Sequence, residues 1–244
     1  ARSNQNLLDI FVKTGFDVQW FDNNTGDQKI ATRTGWSQID ATLDPEACAV
    51  ECTDEVFLPL IEKTLAAITQ DTVLVLHMIG NHGPAYHLRY PRARAGFTPD
   101  CQSAEFSRCT TDEIVNAYDN SLVYTDHILS ELIQWLRQQA VQRPTGMIYI
   151  SDHGESLGEN NLYLHGMPFA IAPRVQTHVP LITWWSEQFQ QVRGLRHECL
   201  KQDLDRPLSH DHLYHSVLGL MRVQTQSYNA ELDLFRRCDP YAAR

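Results

Sequence analysis

Long apolar runs and an excess of positive charge are both missing from this sequence. No stretch approaches the roughly eighteen apolar residues that a helix needs to cross a bilayer. Lys and Arg number 20 against 30 Asp and Glu, and the resulting net charge of −10 repels nucleic acid in the absence of a segregated basic patch. Repeats and low-complexity tracts are absent too. With 43% apolar residues, the chain is predicted to fold as one domain over 1–244 that binds no nucleic acid.

The sequence also lacks the Cys-x-x-Cys spacing typical of thiolate zinc sites, although it contains six cysteines. There are two close pairs and two distant residues: Cys48 with Cys52, Cys101 with Cys109, and Cys199 and Cys238. An even number in polar, loop-like surroundings favours disulfides and an oxidising compartment over metal binding or free thiols. Six cysteines allow fifteen pairings, and the residues alone do not choose among them.

Apolar runs with β-branched residues alternate with segments of helical periodicity, which predicts an α/β fold. The predicted strands are 16–21, 73–79, 147–150 and 179–184. The runs 73–79 and 147–150 are nearly continuous in apolar residues, as expected of central parallel strands covered on both faces. The predicted helices are one after a Ser3 cap, one with the face Leu58 to Ile68, one after the capping box Thr110 and Glu113, and one that begins at Ser209.

Polar clusters follow two of the predicted strands directly. Gly80-Asn81-His82-Gly83-Pro84 comes after the first central run, and Ser151-Asp152-His153-Gly154-Glu155 comes after the second. In an open α/β sheet, ligands bind beyond the carboxyl ends of the strands. Asp152 and His153 offer ligand atoms that suit zinc or manganese, and His165 lies in a third loop beside a glycine. Together these residues predict a metal-assisted reaction.

Each of these residues also has an ordinary structural interpretation. An Asp-His pair after a strand is often a turn or a cap, and His82 alone is a hydrogen-bonded loop residue. The remaining candidates are interpreted as structural: His77 as a satisfied core residue, His210, His212 and His215 as capping and surface residues, Trp184 and Trp185 as packing residues, and the segment 23–26 as a turn.

Several longer motifs carry a resemblance to a known family. They are Gly-Asn-His-Gly-Pro-Ala-Tyr from Gly80, Asn-Ala-Tyr-Asp-Asn from Asn116, Ser-Asp-His-Gly-Glu-Ser-Leu-Gly-Glu-Asn from Ser151, and Leu-His-Gly-Met-Pro from Leu164. Over essentially its whole length the chain resembles the lipid A phosphoethanolamine transferases, which include the mobile colistin-resistance enzymes. The resemblance implies an alkaline phosphatase- and sulfatase-like α/β fold, with a central, mostly parallel sheet and helices on both faces.

The resemblance also implies a reaction. Phosphoethanolamine would pass from phosphatidylethanolamine to a lipid A phosphate through a phospho-threonine intermediate, at the periplasmic face of the inner membrane, and confer polymyxin resistance. Zn²⁺ would be held by Asp152 and His153 together with a glutamate and the threonine nucleophile. His82 and His165 would bind phosphate or a second zinc and serve as acid or base.

Further expectations follow from the same resemblance. The glutamate, the threonine and the membrane anchor would all precede the first residue, so the chain alone is predicted to be inactive, and it is expected to be monomeric. Asn23, Asn24 and Lys29 are candidates for contact with donor or acceptor. The implied disulfides are Cys48–Cys52, Cys101–Cys109 and Cys199–Cys238.

Two alternatives stay open at this point. The chain could belong to another member of the same superfamily, such as a phosphoglycerol transferase, a sulfatase or a transferase that modifies a different core sugar, and the nucleophile motif would distinguish them. It could also be a periplasmic binding module that has the fold without the catalysis, which a threonine motif and membrane helices upstream would rule out.

Overall fold

A computed structural model describes residues 5–202 and 204–239. The first helix, α1 (Leu7–Lys13), begins after Asn6, whose side chain accepts the N–H of Asp9 in a capping box. Asn6 therefore takes the place that the sequence suggested for Ser3, which lies outside the described residues. Helix α1 packs its buried face, with Leu8 and Phe11, into the first core cluster.

Three parallel strands form the main sheet, in the order β2 (Ser37–Gln38), β1 (Asp17–Asp22) and β3 (Thr72–His77). Along β1 and β3, Val18, Trp20, Val73 and Val75 pack on the side of α1 and α7 (Asp211–Leu220). The alternate positions Phe21, Leu74 and Leu76 pack with α2 (Phe57–Ala66) and α3 (Thr111–Gln139). Helices thus cover both faces of a parallel sheet, and the predicted fold class is confirmed.

Strand β4 (Gly146–Ile150) differs from its predicted pairing. Within the described residues its partner is β7 (Leu181–Trp185), in antiparallel register, with Ile148 opposite Thr183. The side chains of Met147 and Tyr149 still pack against the cluster that contains α2 and α3. A continuous apolar run indicates burial on both faces, but it carries no information about the direction of the neighbouring strand.

A short hairpin follows β4 and carries the last of the candidate histidines. Its strands are β5 (Ser156–Leu157) and β6 (Tyr163–Leu164), paired antiparallel with Ser156 opposite Leu164. Because Glu155 precedes Ser156 and His165 follows Leu164, this register brings Glu155 and His165 side by side.

Helix α3 confirms the predicted capping box, since Thr110 and Glu113 cap each other's backbone N–H groups. Helix α7 begins at Asp211, two residues after the predicted Ser209. The remaining elements are α4 (Arg174–Thr177), α5 (Glu187–Arg193), α6 (His197–Lys201) and short 3₁₀ turns at 54–56, 86–88, 92–94, 106–108, 159–161, 230–232 and 236–238. Within the described ranges, no helix combines the length and the apolar character that a membrane crossing requires.

Candidate metal centre

Three loops bring His82, His153 and His165 into one cluster. His82 lies in the turn after β3, where its N–H donates to the carbonyl of Ile79 at 3.2 Å. His153 follows β4, and His165 follows β6. The His153 and His165 rings stack with centroids 3.9 Å apart, and the His82 ring lies 5.0 Å from that of His165 and 6.1 Å from that of His153. One nitrogen from each of the three lies within 4.8 Å of the others.

The Nδ1 atom of each histidine is already engaged by an oxygen. Nδ1 of His82 lies 2.8 Å from the carbonyl of Gly83, and Nδ1 of His153 lies 3.1 Å from the carbonyl of Gly154. Nδ1 of His165 lies 3.1 Å from Glu155 Oε1. Carbonyl and carboxylate oxygens accept hydrogen bonds, so these contacts assign the proton to Nδ1 in the neutral rings. All three histidines therefore keep the Nε2 lone pair for a ligand.

Asp152 lies beside this cluster with its carboxylate turned outward. Its side chain is 87% exposed, and its Oδ1 lies 3.8 Å from His153 Nε2. The same oxygen accepts the backbone N–H of His153 at 3.1 Å, as in the ordinary turn interpretation of an Asp-His pair. The three histidines thus form the compact group, and the carboxylate predicted to bind metal with His153 stands at its edge.

Glu155 also belongs to this site, although the motifs predicted no role for it. Its side chain is only 4% exposed, and Oε1 accepts hydrogen bonds from His165 Nδ1 and, at 3.3 Å, from the N–H of Gly83. Oε2 is buried and has no hydrogen-bond partner among the described residues. Burial, together with the nearby charge of Glu155, raises the pKa of the Tyr86 hydroxyl far above its usual value. Glu155 thus connects the loops of all three histidines.

Glycine at 83 and 154 allows these loops to approach one another. A Cβ atom at residue 83 would lie 2.6 Å from Leu164 Cδ2, and a Cβ at residue 154 would lie 2.0 Å from the carbonyl oxygen of Val175. The N–H of Gly154 also donates to the carbonyl of Gln176 at 2.9 Å, which fixes the loop against α4. At residue 154 the contact is with backbone, so the absence of a side chain is a steric requirement, whereas at residue 83 the Leu164 side chain would have to move.

The comparisons with known proteins agree with this geometry. Residues 1–223 match the family model described as Sulfatase. The chain belongs to the sulfatase family. Phosphoethanolamine transferase EptA of Escherichia coli K12 is 40% identical over 98% of this chain and 44% of its own length. Phosphatidylethanolamine transferase Mcr-1 of Escherichia coli is 38% identical over 91% of this chain and 41% of its own length.

The fold also matches a solved structure over almost the whole chain. The soluble domain of lipooligosaccharide phosphoethanolamine transferase A from Neisseria meningitidis superposes with a TM-score of 0.92, at 39% identity, over 96% of this chain and 71% of that one. The family resemblance predicted from the sequence motifs is thereby confirmed. This sulfatase-family chain spans less than half the length of the two curated relatives named above.

The loop after β1 contains the residues suggested for substrate contact. Asn23 is buried, and its amide donates to the carbonyl of Cys52 at 3.1 Å and to Asp54 Oδ1 at 2.9 Å. The Asn24 amide donates to the carbonyl of Met78 at 3.1 Å. Lys29 is exposed in a turn with φ +64°. Both asparagine amides thus join this loop to neighbouring segments, and a role in binding donor or acceptor stays a prediction.

The histidine in β3 is satisfied, as predicted. His77 Nδ1 lies 2.5 Å from Oδ1 of the fully buried Asp22, its partner in the β1–β3 register, and 3.1 Å from the carbonyl of Gly26. Asp22 Oδ2 accepts the N–H of Gly26 at 2.9 Å. The pair therefore closes the turn at 23–26 that the sequence predicted.

The histidines around the start of α7 make structural contacts, but the predicted capping role is wrong for His210, whose side chain makes no cap hydrogen bond. His210 is the residue before the helix, and its Nε2 contacts the carbonyl of Ser151 at 2.8 Å, which links α7 to the loop that carries His153. His212 Nδ1 accepts the N–H of Ser209 at 3.1 Å, and His215 Nδ1 accepts that of Asn229 at 3.0 Å.

The other structural predictions hold as well. Trp185 is buried and stacks on Phe189 with centroids 5.2 Å apart, while Trp184 lies 6.0 Å from the Arg137 guanidinium in a cation–π contact. All six cysteines are paired, as the resemblance implied: Cys48–Cys52, Cys101–Cys109 and Cys199–Cys238.

Proposed function

We propose that this chain is the catalytic part of a zinc-dependent phosphoethanolamine transferase that modifies lipid A. Its donor would be phosphatidylethanolamine, its acceptor a lipid A phosphate, and the outcome polymyxin resistance. The observation that carries the proposal is the convergence of three histidine rings, with one nitrogen of each within 4.8 Å of the others, in a chain that is similar to named transferases along almost its whole length. Three disulfides suit the oxidising periplasm, where an anchored enzyme would face lipid A.

The donor set fits zinc. Three neutral imidazoles are a common zinc ligand set, and a catalytic zinc keeps a fourth position open for substrate or water. A buried carboxylate behind one imidazole is the arrangement that usually orients a zinc-bound histidine. When bound, zinc would screen the phosphate charge and lower the pKa of a hydroxyl nucleophile.

The protein side chains would divide the remaining tasks. His82 and His165 would bind zinc through Nε2 or, when free of metal, orient the phosphate group and hold or release a proton at that atom. Asp152 is exposed at the edge of the cluster, where it is open to a ligand set completed by residues outside this chain. We assign no threonine of this chain as nucleophile, and we expect the chain to be inactive without the segment that supplies one.

The test compares this chain with an N-terminally extended protein. Both would be depleted of metal, titrated with Zn²⁺, and assayed for diacylglycerol release from a fluorescent phosphatidylethanolamine in the presence of lipid A. We expect zinc binding by both proteins and turnover only by the extended one. Turnover by the chain alone would refute its predicted inactivity, and an extended protein that binds zinc without turnover would favour the non-catalytic binding module.

A sulfatase activity is the rival within enzymes, since the matching family model carries that name. The same preparations would be assayed with an aryl sulfate and an aryl phosphate. Hydrolysis of the sulfate without transfer to lipid A would replace the proposed function.

A further inference from the structure

A second buried carboxylate holds the turn that carries His82. Asp54 is 5% exposed and begins the 3₁₀ turn at 54–56. Its Oδ1 accepts the N–H of Ile79 at 3.0 Å, and its Oδ2 accepts the N–H of Gly80 at 2.8 Å. These two residues lead from β3 into the turn. Because both oxygens of one carboxylate receive adjacent backbone N–H groups, the direction in which the chain leaves β3 is fixed.

The same short segment also holds the other end of the turn. Arg89 Nη1 donates to Glu51 Oε2 at 2.7 Å, and Arg89 Nε donates to the carbonyl of His82 at 2.9 Å. The Arg89 side chain is only 7% exposed, so this hydrogen bond is well shielded from water. Two acidic residues three positions apart therefore hold the backbone of the turn, one directly and one through an arginine.

The segment is in turn held by covalent and buried contacts. The Cys48–Cys52 disulfide closes the loop that contains Glu51 and ends two residues before Asp54. The Asn23 amide donates both to the carbonyl of Cys52 and to Asp54 Oδ1, which ties in the loop after β1. Asp54 thus lies where the disulfide loop, the loop after β1 and the His82 turn meet.

Asp233 provides a natural comparison. It too is 5% exposed, and it accepts the Tyr228 hydroxyl at 2.7 Å and the N–H of Phe235 at 2.9 Å. None of these partners belongs to the histidine cluster, and Phe235 lies in the core cluster with Trp185. Asp233 is therefore a buried carboxylate of similar chemistry with a purely structural place in the fold.

We propose that Asp54 is a positioning residue for His82, and that the disulfide-closed segment 48–54 is the brace that sets the His82 ring against the other two histidines. The metal part of this inference rests on the proposed function. The positioning part rests only on the contacts of Asp54 and Arg89, and it is testable without metal.

The decisive variants are Asp54→Asn and Asp233→Asn in the whole chain. An amide has one acceptor oxygen, so Asp54→Asn turns an NH₂ group toward a backbone N–H and loosens the turn. We expect both variants to lower Tm. In titrations with Zn²⁺ at 10 °C, we expect Asp54→Asn to weaken binding by about 10–100-fold, the usual range for a residue that orients a ligand, and Asp233→Asn to change it by less than about twofold.

A metal-free measurement separates the two proposals. Hydrogen exchange at the Gly80 and His82 amides, with the ¹⁵N shifts of the His82 ring, should change in Asp54→Asn and stay as in wild type in Asp233→Asn. Equal behaviour of the two variants in exchange and in zinc affinity would overturn the inference. If wild type binds no zinc, the proposed function fails, and a selective change at Gly80 and His82 still supports Asp54.

Glu51→Gln tests the same inference with a milder substitution, in case Asp54→Asn does not fold. The Glu51 side chain is 51% exposed, so its loss should leave Tm almost unchanged. By replacing a charged acceptor of the Arg89 guanidinium with a neutral one, it should loosen Arg89 and weaken zinc binding by about threefold. Unchanged zinc affinity and unchanged His82 ring shifts in this variant would contradict the role of the segment.

Discussion

The two ends of the Ser151–Glu155 loop place carboxylates in opposite environments. Asp152 is 87% exposed at one end, and Glu155 is 4% exposed at the other. Asp152 accepts one backbone N–H within its own turn, whereas Glu155 receives a histidine from the β5–β6 hairpin and a backbone N–H from the His82 turn. A single motif thus contains one carboxylate free to meet a ligand and one that acts through its neighbours.

This difference shows that the type of residue does not decide its role. An exposed carboxylate is fully hydrated and keeps its freedom to bind, while a buried one must be hydrogen-bonded and so fixes its partners. Substitutions at the buried end of the loop should therefore change the metal affinity of the chain strongly. Substitutions at the exposed end should change metal affinity only when further ligands are present.

The largest effect is expected for the histidine that Glu155 orients. His165→Ala removes one of three Nε2 donors, and we expect zinc binding to weaken by more than about 100-fold, beyond the range for an orienting residue. The measurement is competition with a chromogenic chelator. The matched control is His197→Ala on α6, an exposed histidine with no part in the cluster. Equal affinity of the two variants would exclude His165 as a ligand.

The next effect tests the buried end itself. Glu155→Ala leaves His165 Nδ1 and the Gly83 N–H without their acceptor, so zinc affinity should fall by about 10–100-fold. Glu159→Ala is the control, since Glu159 belongs to the same motif but is exposed. If Glu155→Ala binds zinc as wild type does while its His165 ring changes tautomer in ¹⁵N spectra, orientation by Glu155 is irrelevant to binding.

A smaller effect is expected at the exposed end. Asp152→Ala should change zinc affinity by less than about threefold in this chain, because the carboxylate is 87% exposed at the edge of the three-histidine group. In an N-terminally extended protein the same substitution should abolish transfer. A large loss of zinc in the chain alone would mean that Asp152 turns inward on binding, and the contrast between the two ends would then fail.

The smallest effect on the metal site is expected when a buried carboxylate far from the histidine cluster loses its arginine partner. Asp9 is hydrogen-bonded to the Arg33 guanidinium, which lowers the pKa of Asp9 below its usual value. A lowered pKa gives stability that is present above about pH 4 and is lost as pH falls through the folded-state pKa. Arg33→Gln should therefore raise the pH of acid unfolding, followed by circular dichroism, and leave zinc affinity at pH 7.5 unchanged.

Much of the fold followed from periodicity and end signals in the sequence. The Thr110–Glu113 capping box predicted a helix, and the apolar runs 16–21, 73–79, 147–150 and 179–184 predicted four strands to within a few residues of their ends. The pairing of β4 with β7 was missed because direction depends on which chain segments fill the space, and a single strand does not encode that.

The site was predictable only in part, for a similar reason. Strand-end glycines and histidines were visible, and their convergence follows from the geometry of sheet edges. The importance of Glu155 depends on the register of a two-residue hairpin, Ser156 opposite Leu164, which no local propensity specifies. The role of Asp54 was not predicted for the same reason, since its hydrogen-bond partners Ile79 and Gly80 lie 25 and 26 positions further along the chain.

Gly154 has a consequence for how this sequence tolerates change. Any other residue there would drive its Cβ into the Val175 carbonyl at 2.0 Å. In a library of all single substitutions, position 154 should therefore be as restricted as the histidines, although glycine contributes no functional group to the chemistry. An invariant glycine at position 154 would then report a steric contact between two loops. Position 152 is exposed, so it should vary freely in a selection for folding and be restricted only in a selection for turnover.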